Sequence, residues 1–334
     1  MYHRMSFVVV AMALAMAFAA SRSSADWIEF SLPNLSGAYS ATALANLPDG
    51  RYVFANQGNY YLQDAFGSGS YTAYINTTPG NSADPSFIAI WDSTHAVAGG
   101  GGWGTSDLYS FNPSSTTAPT FAANGLSLQN YSGVYRDATS LYVGGANGTG
   151  STHAISYVNL STDASKVIID NISAYSCGFA SDGAGNLYVG DNDDGKVYKF
   201  TAAQLSLAIS GSALAITDGT FVHQFNNGLG TMAVDGEGRI WSAGWMVNGL
   251  QVYDPISNTE TTVIPGLANA NYKVTTFTAG GQDYVAFTDQ ENPGQAGTAQ
   301  YYGYEAIPEP GTFLLASAGL AALAVYYRKQ HRRP

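Results

Sequence analysis

A run of acidic residues, Asp191-Asn192-Asp193-Asp194-Gly195, is the strongest candidate for a metal site in this sequence. Three carboxylates on one short turn supply the oxygen ligands that Ca²⁺ prefers. An EF-hand loop that began at Asp191 would need a bidentate Glu at its twelfth position, and Ala202 stands there instead. Asp191, Asp193 and Asp194 therefore indicate either a solvated turn, which we favour, or a calcium site of another kind.

The sequence patterns of hydrolytic enzymes and zinc enzymes are missing. His95, His153 and His223 lie far apart, and none has a second metal ligand two or four positions away. There is neither a His-Glu-x-x-His motif nor a Gly-x-Ser-x-Gly nucleophile elbow. We therefore assign no catalytic residue and, apart from calcium, expect no cofactor.

A glycine run at Gly99–Gly102 lacks the Lys-Ser/Thr ending of a phosphate-binding loop and predicts a loop between strands. Trp103 follows it and could either stack on a sugar or pack over a strand edge. The only cysteine, Cys177, excludes an internal disulfide and is expected to be a small buried apolar residue.

Charge is distributed unevenly along the chain. Asp26–Pro310 contains 24 acidic and seven basic residues, a net charge of −17, whereas the whole chain carries −11. Such a field repels nucleic acid and anionic lipid, so we exclude a phosphate-binding role and nucleic acid as a partner.

The elements that would position these residues are predicted to be β-strands. Gly, Tyr, Thr, Ser and Asn are abundant and Lys and Glu are scarce, which favours an all-β fold. A unit of three strands recurs, most clearly in residues 177–200 and 231–254. Its first turns fall at positions 49, 92, 137, 182, 235 and about 280, so successive units are 43, 45, 45, 53 and about 45 residues apart. A period in the forties with several strands per unit is typical of β-propeller blades.

We predict a six-bladed propeller over residues 26–306, with seven blades as the alternative and two β-sandwiches in series as a rival fold. The strand Trp27–Leu32 is expected to complete the last blade and close the ring. An insertion at Gln204–Ile216 explains the longest spacing. It is expected to contain either a strand at Gln204–Ile209 or a short helical turn at Ala202–Leu207.

Two of the turns carry an aspartate followed by glycines, at Asp182 and Asp235. We expect each carboxylate to cap its own turn, and lining one mouth of the central channel is the alternative. Asp182–Val189 and Asp235–Trp241 resemble the repeats of NHL-type and gluconolactonase-like propellers. That resemblance implies a propeller fold, and a gluconolactonase-like enzyme would hold a divalent metal with carboxylate and Asn ligands. Those ligands cannot be matched here position by position, so none is carried over.

The C-terminus combines a Pro-Glu-Pro box, an apolar run and a basic tail. Pro308, Glu309 and Pro310 form the box and residues 312–327 the apolar run, and the tail contains Arg328, Lys329, Arg332 and Arg333. Sixteen helical residues would span roughly 24 Å, slightly less than a bilayer core of about 30 Å. The basic residues favour the cytoplasmic side.

This arrangement resembles the PEP-CTERM sorting signal of Gram-negative bacteria, in the segment 307–334. The resemblance implies transient anchoring in the inner membrane, cleavage near the box by the membrane protease exosortase, and delivery to the cell surface. An ordinary tail anchor with chance prolines is the alternative.

The N-terminus predicts a signal peptide over residues 1–25. Arg4 precedes an apolar core at Phe7–Ala20, and small residues follow. We expect signal peptidase to cut after Ala20 or Ala25 during passage through the secretion machinery. An uncleaved anchor helix is the alternative.

Together these features predict an exported protein of the cell surface or extracellular matrix. The sorting resemblance links such proteins to exopolysaccharide and biofilm, so polysaccharide is a candidate partner. We predict a non-enzymatic role in binding or structure. The alternative is an extracellular metal-dependent propeller enzyme of the lactonase or lyase type, and a sugar- or peptide-binding propeller is a third reading.

Overall fold

The computed structural model describes sixteen segments of the chain. They are residues 28–31, 43–56, 59–63, 71–76, 86–99, 107–115, 117, 119–123, 130–146, 153–173, 178–226, 228–243, 249–265, 274–279, 282–290 and 299–305. Ile28–Gly303 forms one compact unit. A second unit comprises Met1–Trp27 and Tyr304–Pro334, of which only the last two residues of the final strand are described.

The described residues are almost entirely β-strand. In chain order the strands are β1 (Ile28–Ser31), β2 (Ala43–Asn46), β3 (Tyr52–Asn56), β4 (Asn59–Gln63), β5 (Tyr71–Asn76), β6 (Ile88–Ile90), β7 (Ala96–Gly99), β8 (Leu108–Phe111), β9 (Thr120–Ala123), β10 (Ser132–Asp137), β11 (Ser140–Ala146), β12 (His153–Asn159), β13 (Ala164–Ile172), β14 (Phe179–Ser181), β15 (Leu187–Asp191), β16 (Lys196–Phe200), β17 (Leu214–Ala215), β18 (Thr220–Gln224), β19 (Thr231–Val234), β20 (Ile240–Ala243), β21 (Gly249–Asp254), β22 (Thr259–Pro265), β23 (Val274–Ala279), β24 (Gln282–Gln290) and β25 (Ala299–Glu305). One α-helix, α1 (Ala202–Ser210), and a 3₁₀ turn, Ile216–Asp218, lie between β16 and β18.

Within each sheet, most neighbouring strands are consecutive in the chain. The orders are β2-β3-β4-β5, β6-β7-β8-β9, β10-β11-β12-β13-β17, β14-β15-β16-β18, β19-β20-β21-β22 and β1-β25-β24-β23. The first strands of these sheets, β2, β6, β10, β14, β19 and β23, contact one another in a closed circle. This arrangement is a β-propeller body, and two β-sandwiches in series would not produce such a circle.

One sheet has more strands than a regular propeller blade. Five sheets have the four strands of a regular blade, whereas the sheet of β10 to β13 gains β17 as a fifth strand at its outer edge. The described strands form no seventh sheet. The extra strand β17 comes from the insertion after β16. The spacing of the repeats therefore predicted where the insertion lies but did not predict β17.

Closure of the ring follows the expected pattern. β1 pairs antiparallel with β25, from Ile28 opposite Gly303 to Ser31 opposite Gln300. The N-terminal strand β1 therefore supplies the outermost strand of the sheet that contains β23, β24 and β25. This confirms the prediction that the strand at Trp27–Leu32 completes the last blade.

Hydrophobic residues are buried mainly between neighbouring sheets. Leu47, Val53 and Tyr60 pack against Ile88 and Phe111 of the next sheet, and similar clusters join the following sheets. Because each sheet has a neighbour on both faces, its second strand is covered on both sides, and every residue of β15 is buried. The sheets therefore stabilise one another, which is why a single unit of the repeat would not fold alone.

The two ends of the body carry different turns. We call the end with the turns after the first strands, at Asp49, Asp92, Asp137, Asp182 and Asp235, the turn face. The other end, with the turn Asp191–Gly195 between β15 and β16, is the opposite face. Turns of neighbouring sheets meet on the turn face, where Arg51 Nη2 donates to Ser114 Oγ at 2.9 Å and that hydroxyl donates to the carbonyl of Ser93 at 2.6 Å.

The insertion after β16 is helical. Thr201 and Gln204 form a capping box that starts α1, because each side chain bonds the backbone nitrogen of the other. Leu205 and Ala208 are the buried residues of the helix, and Lys166 Nζ donates to the carbonyl of Ile209 at 2.8 Å. The strand alternative for Gln204–Ile209 is therefore wrong, and the helix is longer than the turn predicted at Ala202–Leu207.

Candidate functional site

The central channel contains a cavity of about 300 Å³. Its walls are the first strands of the sheets, and its polar lining residues are Asn46, Ser132, Tyr135, Ser181, Thr231, Thr275 and Thr276. The described residues that line it include no acidic, basic or histidine side chain. This lining suits an uncharged polar guest of small size.

The two turn aspartates are fully engaged in their own turns. Asp182 Oδ1 accepts from the backbone nitrogens of Ala184 and Asn186, both at 2.9 Å. Burial alone would raise the pKa of Asp182, but the hydrogen bonds from Asn186 and Ala184 and the nearby Lys199 together lower it. The carboxylate is therefore held as an anion in a structural role. This is the capping role expected from the sequence, and Asp182 is not among the residues that line the channel cavity.

Asp235 has a still more complete set of partners. Its Oδ1 accepts from the backbone nitrogens of Glu237 and Arg239 at 3.0 and 2.9 Å. Its Oδ2 accepts from Arg239 Nε at 2.7 Å and from Trp241 Nε1 at 2.8 Å. Gly238 takes a left-handed φ of 81° to close the turn. Asp235 is likewise a turn cap and does not line the cavity.

The acidic run Asp191–Asp194 lies on the opposite face, where the carboxylates of Asp191 and Asp194 have separate partners. Asp191 is buried and accepts from Ser173 Oγ and from the backbone nitrogen of Asp193. Asp194 pairs with Lys196, with 2.6 Å between Oδ2 and Nζ. Among the residues that the structure describes, no group of three or more His, Cys, Asp or Glu side chains is arranged to hold a metal. The calcium hypothesis stays a prediction, now with a lysine beside one of its ligands.

Added Ca²⁺ is expected to leave the melting temperature of the protein unchanged, because the Lys196 ammonium already neutralises Asp194 and would have to be displaced. Thermal unfolding with excess Ca²⁺ and with EDTA measures this, and Mg²⁺ at equal ionic strength is the control. A rise specific to Ca²⁺ that Asp191→Asn abolishes would contradict the expectation. It would also favour the metal-dependent enzyme.

His153 lies near this acidic run although it belongs to the preceding sheet. Its burial lowers its pKa, and the negative charges of Asp193 and Asp191 partly oppose that shift. Its ring lies 6.0 Å from that of Tyr131. Sequence spacing could not show this proximity, because His153 and Asp191 are brought together only by the packing of neighbouring sheets.

A second histidine cluster joins two sheets at their outer strands. His223 Nε2 lies 2.9 Å from Glu260 Oε2, and its ring stacks on Tyr253 with centroids 3.9 Å apart and an angle of 7° between the planes. Asn226 Nδ2 also donates to Glu260, at 3.0 Å. The sequence suggests no partner for His223, and the structure gives it this contact between sheets. His95, in contrast, pairs with Asp92 within its own turn, at 2.9 Å.

The remaining predicted features lie outside the described residues. These are Cys177, Trp103, the signal peptide at 1–25, the box Pro308–Pro310, the apolar run 312–327 and the basic tail Arg328, Lys329, Arg332 and Arg333. No helix in the described part of the chain is long and apolar enough to cross a membrane.

Sequence comparison decides the nature of the C-terminal segment. Residues 306–333 match the PEP-CTERM protein-sorting motif. The chain carries a PEP-CTERM signal. This confirms the resemblance of the Pro-Glu-Pro box and its flanks, and it implies an exported bacterial protein processed by exosortase at the cell envelope. Comparison with curated proteins gives no match.

Solved structures with a similar fold include gluconolactonase-like propellers. A luciferin-regenerating enzyme is 12% identical with a TM-score of 0.62 and covers 84% of this chain and 96% of its own. A gluconolactonase from Xanthomonas campestris is 12% identical with a TM-score of 0.57, covering 82% and 88%. A PQQ-bound aldose sugar dehydrogenase from Streptomyces coelicolor is 15% identical with a TM-score of 0.58, covering 84% and 98%. At these identities the similarity establishes the fold and not the activity.

Proposed function

We propose that this PEP-CTERM protein is a propeller of the cell surface or extracellular matrix that acts by binding or as a structural component, not as an enzyme. The observation that carries the proposal is the sorting motif, which begins at residue 306, directly after the last propeller strand ends at Glu305. The setting that we propose is a Gram-negative bacterium that produces exopolysaccharide and biofilm, with polysaccharide as the candidate partner.

The route that we propose uses both ends of the chain. Signal peptidase removes residues 1–25 after translocation by the secretion machinery. The segment 312–327 holds the protein in the inner membrane as a helix, with Arg328, Lys329, Arg332 and Arg333 on the cytoplasmic side. Exosortase then recognises Pro308, Glu309 and Pro310 and releases the body.

The position of the closing strands supports this route. β1 begins at Ile28, after the proposed signal peptide, and β25 ends at Glu305, before the box. Both cuts therefore spare the four-stranded sheet that closes the ring. A folded propeller can be processed at both ends without losing a strand.

The chemistry of the described residues supports a role without catalysis. The channel cavity is lined by Asn, Ser, Thr, one Tyr and apolar residues, and the turn aspartates that border the sheets are used as caps. An uncharged polar lining is compatible with hydroxyl-rich ligands such as sugars.

Replacement of Pro308, Glu309 and Pro310 by alanine is expected to stop processing. Without the prolines the helix can extend backwards into the box, so the extended peptide that the protease needs is lost. The mass of the mature protein and its abundance at the cell surface measure the effect, and we expect precursor with an intact tail to accumulate in the inner membrane.

Thr312→Ala with Ser317→Ala is the matched control, because it changes the neighbouring sequence but keeps the box. This control should be processed like the natural chain. If the triple-alanine chain also lost its tail and reached the surface at the natural level, the box would have no role and the proposal would fail.

A further inference from the structure

We propose that the turn face is a membrane-contacting surface, on which the body rests against the lipid headgroups while the chain is still anchored. The inference rests on the proposed function, because it requires residues 312–327 to be in the membrane. It also assigns the opposite face as the side that is free to meet a ligand.

The direction of the last strand determines where the chain leaves the body. β25 is the third strand of its sheet, and third strands end at the turn face, as Phe200 of β16 does opposite Leu187. Glu305 therefore lies at that end of the closing sheet. Only residues 306–311 separate it from the apolar run, and six residues reach at most about 20 Å. So short a connection keeps the end of β25 close to the bilayer surface.

Exposed apolar side chains are concentrated at the same end. The large apolar residues that are exposed in the described part of the chain are Trp91, Phe121, Leu207, Phe221 and Ile256. Phe121 and Phe221 lie on outermost strands. The other three lie on connections that begin and end at the turn face: Trp91 in the turn after β6, Leu207 in α1, and Ile256, 86% exposed, in the turn between β21 and β22.

The turn between β21 and β22 shows that this exposure is built into the fold. Asp254 Oδ1 accepts from the backbone nitrogen of Ile256 at 2.8 Å, and Asp254 Oδ2 accepts from Ser257 Oγ at 2.7 Å. The turn is therefore fixed by its own polar bonds, and these bonds hold the Ile256 side chain 86% exposed. An isoleucine held outward at a turn tip is costly in water and favourable in the headgroup layer.

Charge on the turn face argues for an apolar contact and not an electrostatic one. Each turn aspartate already has a basic partner: Arg51 for Asp49, His95 for Asp92, Arg136 for Asp137, Lys199 for Asp182 and Arg239 for Asp235. Few cations are left to attract anionic lipid, so the contact should form on zwitterionic lipid and should tolerate salt. Three side chains bind weakly alone, but a short tether raises their effective concentration at the membrane to millimolar levels.

The test uses the full chain in vesicles of phosphatidylcholine that contain a nitroxide-labelled lipid. In a Cys177→Ser background, one cysteine is introduced as Leu207→Cys, Ile256→Cys or Asp193→Cys and labelled with a fluorophore. All three natural side chains are exposed, so the labels should not disturb the fold, and each melting temperature is compared with that of the natural chain. The label at Asp193 is the matched control, because this residue lies on the opposite face.

We expect lipid quenching to remove fluorescence at positions 207 and 256 but not at 193, with no change at high salt. Equal quenching at all three positions, or stronger quenching at 193, would overturn the inference while leaving the proposed function intact. Co-flotation of the chain with the vesicles separates the two proposals. A chain that did not float would lack the anchor, and both proposals would then fail.

Discussion

Replacing Asp235 by alanine is expected to lower the free energy of unfolding by about 3–5 kcal/mol, the usual cost of removing one member of a buried ion pair. Only 2% of the Asp235 side chain is exposed, and its partner Arg239 is 12% exposed. Alanine would leave the guanidinium, the Trp241 N–H and two backbone N–H groups without this acceptor. Unpaired buried donors lose their hydration without compensation.

The measurement is urea-induced unfolding, and Asp49→Ala is the matched control. Asp49 caps the equivalent turn and pairs with Arg51, but 44% of its side chain is exposed. Its loss should therefore cost only about 1 kcal/mol, as expected for a turn cap with a surface ion pair. Equal losses at the two positions would show that burial of the pair does not determine its contribution.

Much of the architecture could be predicted from the sequence because one turn, capped by an aspartate, repeats along the chain. An aspartate at the end of the first strand binds the backbone of its own turn, and the partners stand at fixed distances along the chain. Asp182 binds the residue four positions later, Asn186, and Asp235 binds Arg239 in the same way. Local hydrogen bonds of this kind leave a sequence period, and the period indicates the blade.

Contacts between sheets leave no such signal. His223 and Glu260 pair across two sheets although 37 residues separate them, and each looks like an isolated polar residue in the sequence. The fifth strand β17 has only two residues, which is too short for a pattern of alternating polarity. These features depend on how complete sheets pack, so a reading of single units could not predict them.

The candidate metal site shows the opposite limitation. Asp191, Asp193 and Asp194 are neighbours in sequence, but the tight turn gives each carboxylate different surroundings. Asp191 contacts Ser173, which directly follows β13 of the preceding sheet, and Asp194 binds Lys196, the first residue of β16. Density of acidic residues along a chain therefore does not establish convergence of their oxygens in space.

Phe87→Ala is expected to cost about 3–5 kcal/mol, the usual loss for a buried phenylalanine. Phe87 is 3% exposed, and its ring lies in space between Gly99 and Gly133. A Cβ built at Gly99 of its own sheet would lie 2.3 Å from its ring, and one at Gly133 of the next sheet would lie 2.2 Å from it. The ring therefore fills the space that these residues leave by lacking side chains, and it joins two neighbouring sheets.

The contact can be tested by a double-mutant cycle in urea unfolding. Gly133→Ala alone should cost about 1–3 kcal/mol by overpacking against the ring. Combined with Phe87→Ala, the new methyl group would enter space that the ring has vacated. The free energy of unfolding lost in the double mutant should then be about 1–2 kcal/mol smaller than the sum of the two single losses. Gly183→Ala, where a Cβ would meet nothing within 4 Å, is the control and should add fully to Phe87→Ala.

Coupling between positions 87 and 133 would bear directly on how the ring holds together. Phe87 directly precedes β6 and Gly133 lies in β10, the first strands of successive sheets. A coupling free energy between the two residues therefore stabilises the contact between sheets and not either sheet alone. A ring of sheets is stabilised by contacts of this kind between neighbouring sheets. Strict additivity at Phe87 and Gly133 would instead show that each sheet is stabilised independently.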